Sequence, residues 1–66
     1  MLTRSDPPLG EELRSRRQAR GLHQLELAVR LDTTTIEVAA WEDGDRLPSD
    51  EHAAALVELF GASERS

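Results

Sequence analysis

The chain has no cysteine and no lysine, only two aromatic residues, Trp41 and Phe60, and only four Val or Ile side chains. Each absence excludes something. Without cysteine there are no disulfide staples and no thiolate metal sites. With so few β-branched and aromatic residues, a β-sheet is a poor expectation and helices are a good one. No apolar run approaches the roughly 20 residues that span a bilayer. The opening Met1-Leu2-Thr3-Arg4-Ser5-Asp6 is too polar for a signal peptide. A cytoplasmic address is therefore expected. What is present is mostly Leu and Ala: 10 and 8 of the 66 residues. One small domain follows, and a chain this short buries only about 60% of its unfolded surface.

Charge is the second feature. The net is −5, but residues 1–30 hold six Arg against four acids, giving +2, while residues 31–66 hold two Arg against nine acids, giving −7. A uniformly acidic chain repels nucleic acid. A divided one leaves the question to the fold.

Residues 1–8 read as a disordered lead-in ending in Pro7-Pro8. Helix-forming signals begin at Leu9. Glu11 and Glu12 come early and Arg14, Arg16, Arg17 and Arg20 late, which complements the helix dipole. Gly21 supplies a left-handed stop. The first helix is expected at about 9–20. The second, about 24–31, has Leu27, Ala28 and Leu31 on its inner face and His23 at its cap position. The third has the clearest start, Thr34 with Glu37 three residues on. It runs to about Asp43, with Val38 and Trp41 inward and Gly44 as its stop. After the connector Arg46-Leu47-Pro48-Ser49, a fourth helix at about 50–60 carries the stripe Ala53, Leu56, Val57, Phe60. Residues 62–66 are expected to fray. About three residues join the second and third helices, which forces a helix-turn-helix crossing.

Catalytic and metal readings find little support. His23 and His52 lie on different helices with no convergent ligands, so no metal is expected. Asp43-Gly44-Asp45 lacks both the flanking strands of a hairpin and the carboxylate spacing of a calcium loop. Asp50-Glu51 are ordinary first-turn acids. No Ser/His/Asp set or Gly-rich phosphate loop occurs. Neither an enzyme, a cofactor nor a small-molecule substrate is expected.

The order of motifs resembles the Cro/repressor-type helix-turn-helix DNA-binding domains over about residues 9–63. Leu9-Gly10-x-x-Leu13-Arg14-x-x-Arg17-x-x-x-Gly21-Leu22 is similar to that family's first helix and stop. Gln24-x-x-Leu27-Ala28 is similar to its second helix. Trp41-Glu42-x-Gly44-x-Arg46-x-Pro48-Ser49 is similar to the end of its recognition helix, and Ala53-x-x-Leu56-Val57-x-x-Phe60-Gly61 to its fourth. The resemblance implies an all-α, compact domain of the lambda-repressor-like type over 9–61. It has four helices, and a fifth often follows in the family, so a larger parent protein is one expectation. The resemblance also implies a partly buried ion pair between Arg17 and Glu42. Double-stranded DNA is the implied partner, with helix 35–43 in the major groove. Thr35, Ile36, Ala39 and Ala40 would then face bases, and Gln24, Thr34 and Arg46 phosphates, with Arg14 or Arg20 within reach.

The binding face departs from that pattern. Base reading relies on Arg, Lys, Asn or Gln, and the four base-facing seats hold two Ala, one Ile and one Thr. Asp43 and Asp45 flank Arg46. Asp32 takes a turn position where the family prefers Gly. Leu25 and Val29, i and i+4 neighbours, fall on the outer face of the second helix, where the family is usually polar. With Ile36 and Ala40 they suggest an alternative, a DNA-deficient relative that binds protein through an apolar face. Homodimerisation is a further expectation, since family members commonly read two half-sites.

Overall fold

The computed structural model describes residues 9–61. Within them the chain forms four α-helices: α1 Glu11–Ala19, α2 Gln24–Leu31, α3 Thr35–Asp43 and α4 Asp50–Phe60. No strand occurs among the described residues. The expected lead-in at 1–8 and tail at 62–66 lie outside them.

Each helix begins and ends for a local reason. The Thr34 hydroxyl accepts from the Glu37 N–H at 3.1 Å and starts α3. Ser49 does the same for α4 with the His52 N–H at 3.2 Å. At the start of α2 the reciprocal arrangement appears: the His23 N–H donates to the Glu26 carboxylate at 2.8 Å. Gly44 ends α3 at φ +83°, in the left-handed region where a Cβ is disfavoured. α1 begins two residues later than expected. Gly10 sits at φ +60°, so neither it nor Leu9 can be part of a right-handed helix.

The α2–α3 joint is tight. The Thr33 N–H donates to the Ala28 carbonyl at 2.9 Å, closing the end of α2. Asp32 takes φ +58°, ψ +48°, and among the described residues it is the one non-glycine with positive φ.

The core comprises Leu13 from α1, Leu27, Ala28 and Leu31 from α2, Val38 and Trp41 from α3, and Leu56 and Phe60 from α4. α3 packs on both α1 and α2, and α4 closes against α2. In α4 the buried stripe is narrower than the sequence suggests. Ala53 and Val57 are only partly buried, while Ala55 and Leu59, on the other flank, pack onto the core with Leu22. The helix turns its 55–59 flank toward α2, which the sequence stripe alone does not specify. No helix is long and apolar enough to cross a membrane among the described residues.

Candidate nucleic-acid interface

The inner side of α3 is held by one polar joint. Arg17 Nε donates to Glu42 Oε2 at 2.6 Å and its Nη2 to Oε1 at 3.1 Å, a two-pronged pair between α1 and α3. Arg17 also donates to the Leu22 carbonyl at 2.9 Å, tying in the α1–α2 turn. Gln24, the first residue of α2, donates through Nε2 to Glu42 Oε1 at 3.1 Å. Arg14 approaches the same oxygen at 3.5 Å and reaches Asp43 at 3.3 Å. One carboxylate thus fastens three helices. Burial alone would push the Glu42 carboxyl up, but hydrogen bonds from Arg17, Gln24 and Arg14 and the charge of Arg17 outweigh it and hold the carboxyl below its ordinary value.

This joint settles where the cations go. Arg14 and Arg17 are spent on Glu42 and Asp43. Arg16 donates to Glu12 at 3.0 Å and to the Phe60 carbonyl at 2.9 Å, joining α1 to α4. Arg20 lies over the Phe60 ring, 5.3 Å from its centroid. Among the described residues, Arg30 and Arg46 form no ion pair. The arginine excess of the N-terminal half is therefore largely structural.

The outer side of α3 holds the residues expected to face bases. Ile36 is 81% exposed. Thr35, Ala39 and Ala40 are half-buried, and Thr34 and Arg46 are exposed. Gln24 differs from the plain expectation of a phosphate contact, because its amide is already committed to Glu42. A side-chain amide carries two N–H donors, so one remains. On α2, Leu25 and Val29 stand 63% and 70% exposed. Trp41 is core, 1% exposed, with its ring 5.2 Å from that of His52 and its indole N–H without a hydrogen-bond partner among the described residues. Among the described residues, no group of His, Asp or Glu is arranged to hold a metal.

The family profile described as "Helix-turn-helix domain" matches residues 8–66. The chain belongs to the helix-turn-helix domain family. Neither the curated proteins nor the solved structures give a match. In helix-turn-helix terms, α2 and α3 are the motif and Asp32–Thr34 its turn. The Arg17–Glu42 pair was implied by resemblance, whereas the parts played by Gln24, Arg14 and Arg16 had no local signal. Their partners across the fold lie 18 to 44 residues away in sequence, and only the Arg16–Glu12 pair is local.

Proposed function

We propose that this chain is the DNA-binding module of a Cro/repressor-type transcriptional regulator, working in the cytoplasm, with α3 as its recognition helix. It carries no catalytic step. The observation that supports the reading is the division of α3. Its inner side is locked to α1 and α2 through Glu42, while on its outer side the side chains of Thr35, Ile36, Ala39 and Ala40 form no hydrogen bond or ion pair among the described residues. Ile36 and Ala40 would meet thymine methyls and the Thr35 hydroxyl a base edge. Thr34, the second N–H of Gln24, and Arg46 would hold the backbone. With few free cations, the salt dependence is shallow: each phosphate neutralised contributes a slope of about −0.9 in log K against log salt. The test is titration of a generic duplex at about 50 and about 200 mM salt, followed by the amide shifts of Thr35, Ile36 and Ala39. Trp41 is too deeply buried to report contact. Salt-weakened binding with shifts on α3 is the expected result, and Arg46→Ala should flatten the slope by about one. No binding at the lower salt would sink the reading.

A second reading is favoured by one observation. Leu25, Val29 and Ile36 are 63%, 70% and 81% exposed on the two helices of the motif. Isolated exposed hydrophobics are ordinary, but three on the motif's outer side suit a protein partner through Leu25, Val29, Ile36 and Ala40.

A further inference from the structure

Three of the exposed large hydrophobics, Leu25, Val29 and Ile36, fall into two matching rows, while Leu9 and Leu47 lie outside them. On α2, Leu25 and Val29 are spaced i, i+4, and Asp32 caps the helix just past its end; on α3, Ile36, Ala40 and Asp43 are spaced i, i+4, i+7. Residues so spaced share one helix face. Each row thus runs from apolar residues to a carboxylate at the helix's C-terminal end. That end carries the negative pole of the helix dipole, so each Asp adds negative charge where it is least favoured. α3 has no basic residue in its last turn. Among the described residues, Asp43 is met only by the partly exposed Arg14, and Asp32, Glu37 and Asp45 form no ion pair. α2 carries Arg30 in its last turn, so it is the α3 end of the paired rows that joins apolar surface to unbalanced negative charge.

That combination selects an occupant. A second copy using the same face would bring like charges together, which is destabilising. An anionic lipid surface is opposed for the same reason. We propose that the Leu25–Val29 and Ile36–Ala40 rows dock a cationic amphipathic helix of another protein, whose apolar side covers the rows and whose Lys or Arg residues meet Asp32, Asp43 and the adjoining acids. Helix-in-groove recognition works through such i, i+4 anchors. The inference rests on the protein-binding reading and gives it a partner class. Because Ile36 and Ala40 are also the residues proposed to meet bases, the docked helix and DNA exclude one another.

The test uses the full chain and three synthetic peptides. One is an amphipathic Leu/Lys helix, one its Leu/Glu counterpart, and one has the Leu/Lys composition scrambled so that it has no apolar face. Binding is followed by amide shifts at about 150 mM salt, where exposed charges alone are screened beyond about 8 Å. The Leu/Lys helix should shift Leu25, Val29 and Ile36, and Leu25→Ser or Ile36→Ser should weaken it about tenfold, the loss of one buried aliphatic anchor. Thermal melting of both variants checks that the fold is kept. Equal binding of the scrambled peptide, shifts away from the rows, or unchanged affinity of both variants would overturn the proposal. If the Leu/Glu helix binds the rows as well as the Leu/Lys helix does, the cationic partner is wrong and the protein-binding reading stands. If neither helix binds the rows, both fall.

Discussion

The two sides of α3 are built on different terms. Inward, Val38, Trp41 and Glu42 are 0%, 1% and 3% exposed, and Glu42 alone takes hydrogen bonds from Arg17, Gln24 and Arg14. Outward, Ile36 is 81% exposed and the helix offers no cation. The inner side determines the fold several times over. The outer side, which both proposed readings use, presents side chains that are small or apolar. The contrast explains how a chain can keep a helix-turn-helix frame whatever its outer residues are: the Glu42 contacts that hold the frame lie on the other side of the helix from Ile36 and Ala40.

The largest effect that could break this contrast is at adjacent acids. Glu42→Ala leaves Arg17 buried without its partner, a loss of about 3–5 kcal/mol. For a domain of this size the whole stability is about 3–10 kcal/mol, so the variant should be largely unfolded or melt far below the parent. Asp43→Ala breaks only an exposed pair with Arg14, worth less than about 1 kcal/mol. Thermal melts of the two variants side by side decide it. Equal melting temperatures would mean that the joint is not what holds α3.

A smaller effect should appear on acidification. The Glu42 carboxyl is held below its ordinary value of 4.5. A group whose folded pKa is depressed adds stability above its unfolded pKa and loses it as pH falls through the folded value. The melting temperature should therefore fall as pH drops below 4.5, beginning before Glu42 itself takes up a proton in the folded state. In Glu42→Gln, which keeps an acceptor oxygen but cannot titrate, the acid-side decline should be shallower from a lower starting stability. An unchanged acid profile in Glu42→Gln would assign the pH dependence to the exposed acids instead.

These contrasts also show what could be read from residues alone. Helix limits follow from neighbours in sequence: Thr34 and Ser49 as caps, Gly44 as a stop, apolar spacing in between. Hence α2, α3 and α4 fall where the pattern puts them. The start of α1 does not, because Leu9 fits the apolar period while Gly10 adopts a backbone that no right-handed helix shares. Contacts that cross the fold are a different matter. Gln24 looks like a free polar residue at a helix start, and only the approach of α3 turns it into a donor to Glu42. Arg16 looks like one of a row of surface cations, and only the packing of α4 brings the Phe60 carbonyl to it. Such polar matches depend on tertiary position, which periodicity does not encode, so the number of cations left for a ligand was not legible in advance.

The smallest expected effect lies where the inner frame meets the outer face, at the turn. Asp32 holds φ +58° at the end of α2, where Gly44 at the end of α3 shows the residue type that the geometry favours. An L-residue there costs about 1–2 kcal/mol, and glycine gives back part of the difference through its freer unfolded chain. Removing a carboxylate from the negative end of α2 adds about 0.3–1 kcal/mol. Asp32→Gly should therefore stabilise the domain by about 1 kcal/mol or somewhat less than twice that, read as a raised melting temperature. Asp32→Asn separates the two contributions, since it tolerates the same backbone and drops only the charge. If the glycine variant is less stable than the parent, the Asp32 carboxylate must hold the turn through its own hydrogen bonding, and the outer acids would then belong to the frame rather than to the recognition face.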